Sequence, residues 1–252
     1  MKGLVAITCY NCRDQVSRVI DSLDKHSISS DTEIILIDNR SIDGTASRIV
    51  EKINNSKFKK NYKFFLNNEN YGLGGSQKIA FTYALKNNYD YIAIIHGDDQ
   101  ANIKDFKTLL NNYISTKKTT LGSRFMSKSK RIGYQKSRVI GNIVLNIVFT
   151  LVTFRKTSDL GSGINLFSVQ DLRSINLATL SNTFNFNVDL LLNFYSNKAS
   201  IDFFPITWTE TDQISNAKNL NVALGMLNSL LLWRLGIRKE ISNLKLEYTL
   251  ID

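Results

Sequence analysis

Proline and cysteine are almost missing from this chain: one proline, Pro205, and two cysteines occur in 252 residues. That excludes a disulfide-stapled scaffold and a proline-rich linker architecture. The cysteines form Cys9-x-x-Cys12, the spacing of a redox dithiol or of half a zinc site. Zinc needs two more ligands, and the only histidines, His26 and His96, are poorly placed to complete a tetrahedron, so reduced structural thiols are expected. No signal peptide is read at the start, where Met1-Lys2 precedes only a short apolar run, and a cytoplasmic N-terminus is expected. Long apolar runs are also scarce. Ile143 to Phe154 is broken by Asn146, and Val222 to Ile237 by Asn228 and Arg234. Crossing a bilayer takes about 20 mostly apolar residues, so neither run suffices, and each is expected to lie in a membrane interface, in the core or at a dimer contact.

Acidic residues are in deficit: 22 Asp and Glu face 32 Lys and Arg, for a net charge of +10. Such a surface favours phosphates, nucleic acid or acidic lipid headgroups. No base-reading motif occurs and the cations do not interleave with aromatics, so no specific nucleic-acid partner is expected. Lys128, Lys130, Arg131, Lys136 and Arg138 crowd just ahead of an apolar stretch, where they face either a membrane or plain solvent.

What is present is ordinary globular material, 43% apolar and 21% charged. Its length suits one α/β domain with an appendage. Strands are expected over residues 4–8, 33–38, 62–66 and 89–95, each followed by a helix: 13–25, from 43 on, from the glycine-rich Gly72-Leu73-Gly74-Gly75 turn on, and around Phe106 to Tyr113. Four alternations of strand and helix predict a doubly wound, mostly parallel sheet. Beyond it, 140–154 has helical spacing, 159–167 reads as a loop entering a strand, and 201–207 is extended.

Two apolar runs end in acids. Ile34 to Ile37 leads into Asp38, and Tyr91 to Ile95 into His96-Gly97-Asp98-Asp99-Gln100. In an open α/β sheet ligands gather beyond the carboxyl ends of the strands, so both clusters are expected to face one crevice. Neighbouring carboxylates that stay charged need a cation between them, and a divalent ion holding a diphosphate answers that need. The glycine turn follows the third strand rather than the first, so it is read as close packing beside that crevice and not as a dinucleotide fingerprint.

Thr8-Cys9-Tyr10-Asn11, Asp38-Asn39-Arg40-Ser41-Ile42-Asp43-Gly44-Thr45, Asn70-Tyr71-Gly72, Gly97-Asp98-Asp99-Gln100, Gly122-Ser123-Arg124 and Asp159-Leu160-Gly161-Ser162-Gly163 stand in the order of the family 2 glycosyltransferases. The chain resembles that family, with its GT-A fold, and most of all the branch of dolichol- and polyprenyl-phosphate sugar synthases. The resemblance implies a GT-A domain over 1–218, with a nucleotide-binding half (1–115) and an acceptor half (116–218), followed by an amphipathic helix and tail over 219–252. It implies that Tyr10 stacks on the base, that Thr8, Asn11, Asp38, Asn39 and Asp43 serve base or ribose, and that Asn70, Gly72, Gly97 and Gln100 border the nucleotide. Asn39 stands where the family has a second Asp, and His96 where the metal motif has its first acid. Asp98 is then the chief ligand for Mg²⁺ or Mn²⁺, assisted by Asp99 or Gln100, unless Asp99 only caps a helix. Arg124 and Arg138, with Asp159, Ser162 and Lys218, are implied to meet the acceptor.

The reaction expected is inverting transfer from a UDP- or GDP-linked sugar to a polyprenyl phosphate at the inner membrane face. A lipid phosphate is already an anion and needs no protein base. The alternative acceptor is a sugar hydroxyl of a lipid-linked oligosaccharide in cell-surface polysaccharide assembly. That would require a base, for which Asp189 is the candidate by position, although a carboxylate opening a helix has the same pattern.

Overall fold

The computed structural model describes residues 1–212, 219–237 and 245–251. Its first half alternates β1 (Gly3–Cys9), α1 (Arg13–Lys25), α2 (Ile28–Asp31), β2 (Glu33–Asp38), α3 (Thr45–Asn55), β3 (Tyr62–Asn67), α4 (Gly72–Lys86), β4 (Tyr91–His96) and α5 (Asp105–Thr116). The second half adds β5 (Thr119–Ser123), β6 (Lys130–Ile132), α6 (Lys136–Thr153), β7 (Ile164–Ser168), α7 (Val169–Arg173), α8 (Phe186–Ser196), β8 (Ile201–Pro205), β9 (Thr207–Thr209), α9 (Asn219–Arg234) and β10 (Tyr248–Ile251). The main sheet runs β10-β3-β2-β1-β4-β7-β5-β8. β1 to β4 are parallel, β7 runs antiparallel between β4 and β5, and β10 closes the β3 edge antiparallel.

The strands read as unbroken apolar runs because both sheet faces are covered. Leu4 and Ala6 of β1 enter one core, Val5 and Ile7 the other, as a period of two requires. α1 buries Val16, Val19, Ile20 and Leu23 against the second of these, each worth about 1.5–3 kcal/mol of burial. Register then fixes the crevice. Thr8 of β1 stands opposite His96 of β4, and Cys9 opposite Asp38 of β2, so three strand ends come together.

Some elements differ from the sequence pattern. Tyr89 is not yet strand: its N–H donates to the Ala84 carbonyl, closing α4. The extended run 201–207 breaks at the buried Ile206, and β9 leaves the main sheet to pair with β6. α6 begins at Lys136 and so takes in Arg138. Among the described residues it is the one helix long and apolar enough to cross a membrane, which the sequence pattern did not give. One of its faces nevertheless packs on the domain, burying Asn146, Phe149 and Thr153. α9 contacts α6 and is apolar on its outer as well as its inner face, so it is not amphipathic in the expected sense.

Candidate functional site

A cavity of about 750 Å³ opens at the carboxyl ends of β1, β2 and β4 and continues between α6 and α9. Thr8, Tyr10, Asn39, Asn70, Gly72, Asp98, Gln100, Arg124 and Gly161 all border it, as does Arg138, so residues drawn from six separate motifs converge on one space.

At the strand ends, Tyr10 keeps its ring partly exposed at the wall, while the Thr8 hydroxyl is buried with no hydrogen-bond partner among the described residues. Asn39 is held hard. Its Oδ1 accepts from Asn67 Nδ2 (2.9 Å) and the Tyr71 N–H (2.8 Å), and its Nδ2 donates to Asn70 Oδ1 (2.7 Å). Asp38 does not reach the cavity. Fully buried at the end of β2, it accepts from the Ser41 hydroxyl and N–H, and burial pushes its pKa up. Asn11 and Asp43 also turn into loop construction. Asn11, at φ 48°, donates its N–H to Ser41 Oγ and accepts from the Ile42 N–H. Asp43 accepts from Arg13 and Thr45; burial works to raise its pKa, but those hydrogen bonds outweigh it and hold the carboxyl low. These three acids and amides shape the rim that Asn39 and Tyr10 occupy.

Gly72 and Gly74 press on the backbone of Ser181 and Asn182, and the Gly74 and Gly75 N–H groups donate to the Asn182 carbonyl. The N-terminus of α4 is thereby occupied by protein, which bears out close packing as the use of the glycine turn. Gly97 is equally constrained: a Cβ there would lie 2.7 Å from Cys9 Sγ and 3.2 Å from Cys12 Sγ. The two thiols are free and buried, and they line the floor of the cavity.

Asp98 and His96 flank that glycine and both line the cavity. The Gln100 N–H donates to Asp98 Oδ1 (3.2 Å). Burial raises the Asp98 pKa, only partly offset by His96, and burial lowers that of His96. The imidazole Nε2 is buried without a hydrogen-bond partner among the described residues. A carboxylate short of positive charge beside a neutral nitrogen lone pair is a donor set that a divalent cation fits. The described residues hold no cluster of three His, Cys, Asp or Glu, so a ligand would have to supply the remaining oxygens. Asp99 does not assist. At φ 57° it turns away and accepts from Arg18 Nε (2.6 Å), and Arg18 also grips Asp212.

On the acceptor side, Arg124 is buried and its fork is taken by Asp159, Nε to Oδ2 at 2.8 Å and Nη2 to Oδ1 at 2.7 Å. Burial opposes the guanidinium charge, but Asp159 outweighs it and the pKa is raised. Phe125, Tyr134 and Trp208 pack around the same cation. Ser162 is buried below the wall, bonded to the Ile164 carbonyl and Asn165. Arg138 meets Glu210 through Nη1 alone (2.9 and 2.7 Å), engaging one of its three guanidinium nitrogens. Lys218 lies outside the described residues, as does most of its loop.

Asp189 is not brought to the cavity. It accepts from the Ser181 N–H (3.0 Å), while Asn187, two residues and some 200° around α8, lines the cavity instead. Residues missed by the sequence reading include Asn187, Trp208, and the apolar Leu145 and Met226. Only the helical spacing of the last two left a trace in the sequence.

The sequence matches the model of glycosyl transferase family 2 over residues 4–175. A search of curated proteins finds no match. Among solved structures, glucosyl-3-phosphoglycerate synthase from Mycobacterium tuberculosis in complex with UDP superposes at a TM-score of 0.67 with 15% identity, covering 94% of this chain and 81% of that one. The complex of that enzyme with Mn²⁺, UDP and glucosyl-3-phosphoglycerate gives the same values. Its complex with phosphoglyceric acid reaches 0.68, again at 15% identity, with 94% and 81% covered. The chain adopts the GT-A fold, is a glycosyltransferase, and belongs to glycosyl transferase family 2.

Proposed function

We propose that this glycosyltransferase moves a sugar from a UDP- or GDP-linked donor onto a polyprenyl phosphate, with inversion at the anomeric carbon. The observation that carries the reading is the make-up of one cavity, polar where the strands end and along the first turns of α6, and apolar along α9 with Leu145 of α6. An isoprenoid chain suits such walls, and a diphosphate suits the floor.

In the donor half, the Tyr10 ring offers a face to the base, and the unpaired Thr8 hydroxyl and the fixed Asn39 amide meet base or ribose. Asp98, with His96 Nε2 beside it, would hold Mg²⁺ or Mn²⁺; when bound, the ion offsets the charge that develops on the departing diphosphate. The mycobacterial synthase, seen with Mn²⁺ and UDP, supports a divalent ion and a UDP-linked donor. In the acceptor half, Arg138 orients the phosphate through guanidinium nitrogens that Glu210 does not engage. Arg124 holds the wall through Asp159. That an Asn, not an Asp, faces the cavity from α8 agrees with an acceptor that is already an anion. The mycobacterial synthase is likewise seen with a phosphate-bearing molecule, phosphoglyceric acid.

The test is a panel of UDP- and GDP-sugars against polyprenyl phosphate, phosphoglycerate and lipid-linked oligosaccharide, with Mn²⁺, Mg²⁺ or a chelator. A lipid-linked monosaccharide formed only with divalent metal is expected, and Asp189→Asn should leave it intact. Transfer confined to phosphoglycerate, or to the oligosaccharide with loss in Asp189→Asn, refutes the reading.

A further inference from the structure

We infer that the outer faces of α6 and α9 together dock on an anionic phospholipid bilayer, with the apolar end of the cavity set against the lipid; this rests on the acceptor reading above. On α6, Ile140, Val144, Ile147 and Leu151 are exposed, spaced so that they form one stripe, and Phe154 just past its end is exposed as well. On α9, Leu224, Leu227 and Leu231 do the same, with Leu220 exposed at the cavity mouth and Leu235 exposed just past the helix end. The apolar part of the cavity wall comes from Val222, Ala223 and Met226 of α9 and Leu145 of α6, beside the polar Arg138 and Asn142. One pair of helices thus carries the apolar acceptor space on its inside and an uncovered apolar surface on its outside. An apolar chain that lives in a bilayer would pass directly from one to the other.

Charge decides what covers that surface. From Lys128 to Lys156 the chain has Lys128, Lys130, Arg131, Lys136, Arg138, Arg155 and Lys156 and not one Asp or Glu. Of these, among the described residues only Arg138 has its charge met by a carboxylate, that of Glu210. Lys128, Lys130, Arg131, Lys136, Arg155 and Lys156 are exposed around the two ends of α6. Between Asn219 and Ile237 there is no acid either. A second copy of the chain would bring the same cations against this face, so repulsion opposes self-association there. Anionic headgroups answer the cations while the acyl region takes the apolar stripe. The start of α6 points the same way. Its first turn holds Lys136 and Arg138 and no acid, opposite to what the helix dipole favours, and an external anionic surface relieves that conflict. Because Asn146, Phe149 and Thr153 bind α6 to the domain, the helix lies along the bilayer and does not cross it.

The experiment is co-sedimentation of the full chain with vesicles of phosphatidylcholine alone or with about one-third phosphatidylglycerol, at low and high salt. Wild type should bind the anionic vesicles at least about tenfold more tightly, less so as salt rises. Ile147→Glu with Leu151→Glu, and separately Leu224→Glu with Leu231→Glu, should each lower that binding by about tenfold or more. Thermal stabilisation by UDP and Mn²⁺ in the variants serves as the fold check. Equal binding of both vesicle types, no binding, or a dimer dissolved by the same substitutions would overturn the inference. If transfer to polyprenyl phosphate proceeds in detergent while vesicles go unbound, this inference alone fails. If vesicles bind but polyprenyl phosphate is never an acceptor, it is the acceptor reading that fails.

Discussion

Replacing Asp159 by Asn separates a wall-holding Arg124 from one that works by gripping the acceptor. In the folded chain Arg124 and Asp159 are both buried, 7% and 3% exposed, and three hydrogen bonds run from Arg124 to the Asp159 carboxylate. Asp159 also accepts from the Gly161 N–H, so the pair fixes the loop that enters β7. Asn keeps the volume but removes the charge, leaving a guanidinium enclosed by Phe125, Tyr134 and Trp208 without its carboxylate. Breaking a buried pair in this way costs about 3–5 kcal/mol. At about 2–4 °C per kcal/mol for a chain of this size, the melting temperature should fall by roughly 6–20 °C. Urea unfolding measured beside donor binding checks it. The double variant Arg124→Met/Asp159→Leu should recover much of the loss, because removing both charges also removes the unpaired one. If Asp159→Asn costs under about 1 kcal/mol while acceptor transfer collapses, the pair is not the wall's support and the reasoning is refuted.

Asp98→Asn should cut transfer by about 100-fold or more and abolish the Mn²⁺ effect on UDP binding, whereas Asp99→Asn, which breaks only a part-exposed pair with Arg18, should cost under about 1 kcal/mol and spare activity; parallel kinetics decide which carboxylate matters. Gly97→Ala drives a methyl into Cys9 and Cys12 and should destabilise by about 1–3 kcal/mol, read by chemical denaturation. Lys78 is buried, donating to the Leu180 carbonyl and to Asn182, and burial brings its pKa down to about 8. Below pH 8 both folded and unfolded chains carry the proton and the fold bears the full penalty; between about 8 and 10.5 the unfolded chain holds more protons, so stability rises with pH. That rise should be present in wild type and flattened in Lys78→Met, measured as unfolding midpoints from pH 7 to 9.5. An equal slope in both proteins would show that Lys78 does not titrate there.

The nucleotide end of this molecule was legible because its information is local. Each strand is a short apolar run, each ligand-facing residue sits within a few positions of a strand end, and parallel topology forces those ends together. Which neighbour faces the cavity was not legible. Asp38 and Asn39 are adjacent, yet one is turned under the loop by Ser41 and the other out to the rim by Asn67 and Tyr71, contacts made by residues up to 32 positions away. Asp98 and Asp99 divide in the same manner because Arg18 of α1 draws Asp99 off. In α8 the choice between Asn187 and Asp189 is one of helical phase, and the phase depends on a helix start at Phe186 that no motif marks.

The acceptor end was hidden for a different reason. An apolar residue in a helix carries the same pattern whether it faces a core, a cavity or a bilayer, and α6 and α9 face more than one of these at once. Periodicity finds a stripe by contrast with a polar face, and a helix apolar on both sides offers little contrast. Charge at the helix ends restores what periodicity loses. Lys136 opening α6 with no acid in its own first turn is a local misfit in an isolated helix, and Arg155 and Lys156 just beyond its end place the same sign at the other end of the apolar face. Fold stability gives no reason to gather seven cations along 128–156 beside an exposed hydrophobic stripe with Glu210, on Arg138, the one carboxylate pairing any of them among the described residues, since like charges repel there. An anionic surface with an apolar interior satisfies both halves of that pattern, which is why charge, more than hydropathy, identifies the partner of this face.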